Sequence, residues 1–329
     1  MRAILMCTFL LVLALPATAA EWEPVTTDLL KSEKTGFGGL CGVAVDRGMG
    51  DIYINLSDRG MFLSQDQGKT WNRPKGIELF KGRTETPGCM TFDPVAGSRH
   101  LLVALVYGAP TTIYGAGPEH RIFDKKCSHI DWVAVDWSEN GGKFVLALKH
   151  ESGGLLYASH DGGKTFEDVG KGYGPAWIFD DKLAVAAEMK SKEKPKPGLL
   201  RTTDAGKTWH PCGEFAATAL PKWRDGTLYW VVDGTLIATT DKGQTWKKIC
   251  DVKDGRYGPI FGKTAMHMFI LTQGGIIESN DAGVTWSKPL PVPKEMKGVS
   301  MLTWLDYDQL HDVLYVMKMG SELYKMARK

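Results

Sequence analysis

The chain has 329 residues, 43% of them hydrophobic and 24% charged, which is the composition of a folded globular protein rather than of a disordered one. Lys and Arg total 40 against 38 for Asp and Glu, and the net charge of +2 excludes the strong positive field that general nucleic-acid binding requires. The 38 glycines, 16 prolines and 11 tryptophans favour many short strands joined by tight turns over a helical bundle.

Residues 1–20 have the pattern of a secretory signal peptide. A basic residue, Arg2, precedes an apolar run from Ile4 to Leu15, and small residues close the segment. The apolar run is too short to span a bilayer with margin, and no later segment has about 18 consecutive apolar residues. We therefore expect cleavage after Ala19 or Ala20, with residues 1–20 taken as the signal peptide, and export of residues 21–329 to the periplasm or the extracellular space, without insertion into a membrane.

The cysteines of the mature chain show no motif for zinc or haem binding. Their number is odd, so at least one thiol is unpaired within the chain. We expect most of these cysteines to be small, buried apolar side chains, and we expect no metal or cofactor. The sequence allows a single disulfide but does not require one. The five residues are Cys41, Cys89, Cys127, Cys212 and Cys250.

One eight-residue string, Ser/Thr-x-Asp-x-Gly-x-Thr-Trp/Phe, occurs five times and shows that the chain is built from internal repeats. The pattern predicts a hairpin turn in which the aspartate accepts hydrogen bonds from backbone N–H groups and the glycine takes a positive φ. An aspartate that recurs once per unit is expected to have the same structural role in every unit rather than a catalytic one. These aspartates are Asp66, Asp161, Asp204, Asp241 and Asp281.

The string resembles the Asp-box, also called the bacterial neuraminidase repeat, of sialidase-like β-propellers. The first interval between its aspartates is 95 residues, against 43, 37 and 40 for the others, so residues 87–127 are expected to form a unit without a box. A last unit starts at Gly298 and lacks a fourth strand. Residues 21–27 are similar to the strand that follows each box, and we expect them to supply it.

Seven units in the mature chain average about 44 residues each, which is the length of a four-stranded blade. The sequence therefore predicts an all-β fold, a seven-bladed β-propeller of four-stranded antiparallel blades in a single domain over residues 21–329. The N-terminal strand is expected to join the C-terminal blade and close the ring, which removes most exposed strand edges.

Function is expected on the face opposite the box hairpins, which is formed by the loops between blades and by the turns from each second strand to its third. We call this the loop face. Its polar and aromatic residues suit a glycan or a protein partner. The ligand-binding candidates are Arg59, Arg83, His129, His150, Tyr173, Arg256 and Tyr257, and the weaker catalytic candidates are Glu85, Asp131, Glu151 and Glu188.

The resemblance implies two functions of different classes. Sialidases typically have six blades, three substrate-binding arginines and an Arg-Ile-Pro motif before the first box, whereas the nearest string here, Arg121-Ile-Phe123, follows that box. The blade pattern is also similar to that of the photosystem II stability and assembly factor family, whose members are noncatalytic scaffolds for a polypeptide.

We therefore expect a monomeric recognition platform for a glycan or protein partner. The alternative is a glycoside hydrolase that uses carboxylates on the same face. A close, buried carboxylate pair with a raised pKa would favour the alternative.

Overall fold

The computed structural model describes residues 21–76, 80–95, 97–115, 120–137, 142–217 and 219–328, so the expected signal peptide lies outside the described part. Within these residues, seven antiparallel sheets follow one another as the blades of a β-propeller. The predicted seven-bladed fold is confirmed.

The first four blades use consecutive stretches of the chain. Blade 1 contains β2 (Gly42–Val45), β3 (Ile52–Asn55) and β4 (Met61–Ser64). Blade 2 contains β6 (Met90–Phe92), β7 (Leu101–Val103), β9 (Thr112–Tyr114) and β10 (Arg121–Ile122). Blade 3 contains β11 (Ile130–Val135), β12 (Val145–Lys149), β13 (Leu156–Ser159) and β14 (Glu167–Gly170). Blade 4 contains β15 (Tyr173–Ile178), β16 (Ala184–Glu188), β17 (Leu199–Thr202) and β18 (His210–Gly213).

The remaining blades complete the ring. Blade 5 contains β19 (Lys222–Arg224), β20 (Thr227–Val232), β21 (Thr235–Thr239) and β22 (Lys247–Asp251). Blade 6 contains β23 (Gly255–Phe261), β24 (Met268–Thr272) and β25 (Gly275–Ser279). Blade 7 contains β26 (Thr303–Asp308), β27 (Val313–Lys318), β28 (Tyr324–Ala327) and the N-terminal β1 (Glu23–Pro24). Outside the blades lie the helix α1 (Thr27–Glu33), the strand pair β5 (Gly82–Arg83) with β8 (Tyr107–Gly108), and short 3-10 turns at Ser57–Arg59, Pro87–Cys89 and Lys294–Met296.

The hydrophobic core lies between neighbouring blades. In one cluster, Trp304 and Tyr315 of blade 7 pack with Ile54 of blade 1 and Leu101 of blade 2, and all four are almost fully buried. Strands that alternate in side-chain direction offer both of their faces to adjacent blades, so the sheets are apolar on both sides. Each blade is consequently stabilised by its two neighbours.

Each box forms one closed hydrogen-bond network within its hairpin. In blade 3, Asp161 Oδ1 accepts from Ser159 Oγ at 2.9 Å and from Thr165 N at 2.9 Å, while Thr165 Oγ1 donates to Oδ2 at 2.7 Å. Burial alone would raise the pKa of Asp161, because it disfavours the charged carboxylate. These hydrogen bonds have the larger effect and lower the pKa from 3.8 to about 2. The other four boxes make the same bonds.

The box glycine has a second role at the boundary between blades. Gly163 has a φ of 86°, and a Cβ there would lie 2.5 Å from the Phe123 ring of blade 2. Gly68 is similar, since a Cβ on it would lie 2.7 Å from Val25 next to β1. The glycine thus permits both the turn and the close approach of the preceding blade.

The N-terminal strand closes the ring as the sequence predicts. Strand β1 pairs with β28, and the sheet of blade 7 has the order β1, β28, β27, β26. Leu323 N donates to Oγ1 of the fully buried Thr26 at 2.9 Å, and the Trp22 indole donates to the Pro291 carbonyl at 2.9 Å. The two ends of the chain are therefore held in one sheet.

Two details differ from the expectation. The fourth strands of blades 1 and 6 shrink to single bridges, Leu63 with Asn72 and Ile276 with Leu290, because proline follows closely and donates no hydrogen bond. The helix α1 follows the closing strand and was not predicted. None of the five described cysteines forms a disulfide.

The helices that the structure describes are too short or too polar to cross a membrane.

Replacing the buried box serine should destabilise the protein. In Ser159→Ala the amide of Gly163, which donates to Ser159 Oγ at 2.8 Å, loses its acceptor. We expect the free energy of unfolding in urea to fall by about 1–3 kcal/mol. The exposed Ser32→Ala should change it by less than about 0.5 kcal/mol, and equal effects of the two substitutions would contradict the account.

Ring closure predicts a similar cost at Thr26. Thr26→Val keeps the shape of the side chain but removes the acceptor for Leu323 N, so we expect a loss of about 1–3 kcal/mol in chemical denaturation. Thr264→Val, at an exposed turn, is the matched control. A Thr26→Val protein as stable as its control would show that this contact does not hold the ends together.

Candidate functional site

Five sequence candidates come together on the loop face, and we call them the loop-face cluster. Arg83 and Glu85 lie on the connection from blade 1 to blade 2, His129 and Asp131 at the start of β11, and His150 just after β12. Connections in an antiparallel blade alternate between two faces, so these segments lie opposite the box hairpins. The cluster spans blades 1 to 3.

The central contact of the cluster joins Asp131 to His150. Asp131 Oδ1 lies 2.6 Å from His150 Nδ1, and Glu85 Oε2 lies 3.9 Å from His150 Nε2. Burial raises the pKa of Asp131 above its usual range, although His150 acts in the opposite direction. One imidazole thus lies between the two carboxylates.

A register shift in β11 explains why Asp131 reaches this partner. The pairing of β11 with β12 is irregular between Ile130 and Trp132, and such a bulge redirects the side chain of the extra residue. His129 instead has a positive φ of 60° and its Nδ1 contacts the Val106 carbonyl at 2.6 Å. Asp131 therefore pairs with His150 across strands and not with His129, its neighbour in sequence.

Arg83 is held between two aromatic rings. Its guanidinium carbon lies 4.7 Å from the centroid of Phe37 and 4.7 Å from that of Tyr107, while Nη2 donates to Glu85 Oε2 at 3.0 Å. Phe37 and Tyr107 are 52% and 37% exposed, so the cluster presents an aromatic surface to solvent. The sequence analysis missed both rings, because isolated aromatic residues in loops carry no pattern.

The other six candidates lie outside the cluster or at its edge. Arg59 donates to the Glu33 and Lys34 carbonyls at the end of α1, and Glu188 binds Lys194 and the Gly198 amide within blade 4. Tyr173 packs on Trp209, Arg256 is exposed on β23, and Glu151 lies at the edge of the loop-face cluster, 3.6 Å from His150. The placement of Tyr257 in a loop was wrong: it lies inside β23 and faces the central channel, because β23 has two register shifts.

The central channel is a cavity with a volume of about 720 Å³. The first strands of the blades line its wall, and the turns that follow them, such as 46–49 and 224–226, form a mouth on the face of the box hairpins. Leu220 contacts the cores on both sides of the channel and approaches Gly88, which narrows the loop-face end.

Charged and polar side chains line this channel. Lys222 Nζ donates to Tyr257 OH at 2.8 Å, and Asp306 Oδ2 accepts from Val45 N at 2.8 Å. Burial lowers the pKa of Lys222 to about 8, although Asp306 acts in the opposite direction, and burial also raises the pKa of Asp306. A lysine in the innermost strand of a blade was a signal that the sequence analysis missed.

The described residues contain no group of three or more His, Cys, Asp or Glu side chains placed to hold a metal ion.

No protein-family model and no curated protein sequence matches the chain. Among solved structures, the extracellular domain of the putative one-component system BT4673 from B. thetaiotaomicron has a TM-score of 0.57 and 9% identity over 93% of the chain, which spans 40% of that structure. YCF48 bound to D1 peptide has a TM-score of 0.53, 15% identity, and coverage of 96% and 97%. The β-propeller domain of Myceliophteria thermophila Cps50 (Swd1) has a TM-score of 0.59, 10% identity, and coverage of 90% and 98%. These similarities establish the β-propeller fold.

Proposed function

We propose that the protein is an exported Asp-box propeller of the sialidase-like and photosystem II assembly factor-like superfamily, and that its loop face recognises a polypeptide partner. In this proposal residues 1–20 are removed on export and residues 21–329 act as one monomeric domain. The five repeated box sequences and their common hydrogen-bond network support the repeat type. The box aspartates have a structural role.

The observation that carries the proposal is the pair of exposed rings, Phe37 and Tyr107, with the partly buried Arg83 held between them. Aromatic residues and arginine dominate the binding energy of protein interfaces, and the aromatic rings bury large areas at little cost in side-chain entropy. The stacking of Arg83 between both rings holds its guanidinium in place before a partner arrives. A preorganised side chain loses less entropy on binding.

The half-buried polar residues behind this surface would fix the orientation of the partner. Glu85, Asp131 and His150 supply acceptors and an imidazole within one network, next to the aromatic surface. A backbone N–H or a basic side chain of a peptide could therefore bind beside the rings. YCF48 has the same fold and is described in complex with D1 peptide, which supports a propeller of this type as a peptide platform.

We expect the aromatic surface to dominate affinity. Peptides selected from a displayed random library on residues 21–329 should bind Tyr107→Ser and Phe37→Ser at least about tenfold more weakly than the unchanged protein. The matched control is Val284→Ser, which removes a 71% exposed apolar side chain from the box face. Affinities by biolayer interferometry would test this.

The control should bind like the unchanged protein. The proposal would be contradicted if peptide affinity were unchanged in both loop-face variants. It would also be contradicted if the Val284→Ser variant no longer bound the peptides. If the protein bound glycans on an array and bound no peptide, the ligand of the loop face would be a glycan and not a polypeptide.

The raised pKa of Asp131 favours glycoside hydrolysis as a second candidate, because a protonated carboxylic acid is the general acid of that reaction. The imidazole of His150 lies between Asp131 and Glu85, however, where a sugar would have to bind. Product release from a polysaccharide and sialoside panel, lost in Asp131→Asn and Glu85→Gln, would establish the hydrolase instead.

A further inference from the structure

Four cationic side chains line the central channel, and two of them have no close carboxylate partner in the described part of the chain. Arg47 and Lys222 line it, and among the described residues neither has a carboxylate oxygen within 4.0 Å. The two other arginines at the channel differ, since Arg99 pairs with carboxylates at 3.0 and 2.6 Å and Arg224 pairs with Asp225 at 3.2 Å. Arg47 and Lys222 are therefore the two cations of the channel that are available to bind an anionic ligand.

The carboxylate nearest to them in the channel is already engaged. Asp306 accepts backbone hydrogen bonds from Val45 at 2.8 Å and from Tyr307 at 2.9 Å, which fixes its two oxygens against blades 1 and 7. Arg47 and Lys222 both face Asp306, and both residues are only partly exposed to solvent. Charges removed from water are normally paired, so this arrangement suits an anion.

An apolar wall lies beside these charges. Trp177 and Trp223 stack with their rings 13° from parallel and their centroids 6.1 Å apart, and both line the channel. Indole faces bind flat, apolar groups. A volume of about 720 Å³ is within the range of cavities that hold small organic ligands.

We propose that the channel is a binding site for a small organic anion with a flat apolar body. Its carboxylate or other acidic group would lie between Arg47 and Lys222, and its flat part against Trp177 and Trp223. The Tyr257 hydroxyl, which accepts from Lys222, keeps its own hydrogen for the ligand. The ligand enters from the box face, so this site is separate from the loop-face cluster.

The groups around Lys222 give the site a pH dependence. It faces Tyr257, Asp306 and Arg47, and burial raises the pKa of Tyr257, so that hydroxyl stays neutral near pH 8. Arg47 faces Asp306, Tyr257, Arg224 and Asp225. Because the pKa of Lys222 is about 8, its positive charge is present below that pH and is lost above it. Anion affinity should fall as the pH rises through this range.

The test uses indole-3-acetate as the anion and indole-3-acetamide as its neutral match, with residues 21–329 in isothermal titration calorimetry. The acetate should bind at least about tenfold more tightly than the amide near neutral pH, and its affinity should fall several-fold by about pH 9. Arg47→Met and Lys222→Met should each lose this preference. Lys222→Arg should retain it, and its affinity should no longer fall across this pH range.

Two controls separate loss of the site from loss of the fold. Lys192→Met changes an exposed loop residue that does not line the channel, so this variant should bind like the unchanged protein. Circular dichroism should show that all variants are folded. Equal affinity for acetate and amide, no binding at millimolar acetate, or unchanged binding in folded Arg47→Met and Lys222→Met would overturn the proposal.

Discussion

The pairing of β1 with β28 joins the two ends of the chain in one sheet, and the rest of the ring depends on it. Without it, blades 7 and 1 would be separated and the apolar surface between them, which includes Trp304 and Ile54, would meet water. The Trp71 indole donates to the Val25 carbonyl at 2.9 Å, so the first box also packs on the closing segment. A short backbone pairing thereby joins residues about three hundred positions apart in the sequence.

The same closure positions the loop-face cluster. The Trp304 indole of blade 7 donates to the Glu85 carbonyl at 3.2 Å, and Arg59 ties the end of α1, which follows β1, to the turn after β3. The backbone that carries Glu85 is therefore held by the last blade as well as by the first. The blades therefore form a rigid support, and the loops between them carry the side chains of the loop-face cluster.

Much of this architecture could be predicted from the sequence. A repeated string gave the hairpins, its spacing gave the hidden second blade, and the likeness of residues 21–27 to the strand after each box gave the closure. Glu85, Asp131 and His150 could be chosen as loop-face candidates, but their mutual contact could not. It depends on a bulge in β11, and a bulge shifts side-chain direction without a clear mark in the sequence.

The channel was missed for a related physical reason. Alternation along a strand assigns residues to faces only while the register is regular, and β23 shifts register twice around Tyr257. Lys222, Arg47 and Asp306 come from three different blades, so no local pattern joins them. These charges come close together only when the ring is closed around the central channel. The boxes, in contrast, can be recognised in the sequence because each one is complete within eight residues.

Hydrogen exchange of the bound protein would test most directly the claim that the loop face is the recognition surface. With the tightest-binding selected peptide at saturation, amide exchange should slow around residues 83–85, 107, 129–131 and 150, and stay unchanged in the box hairpins. Slower exchange confined to the hairpins that carry Asp66, Asp161, Asp204, Asp241 and Asp281 would place recognition on the opposite face and contradict the account.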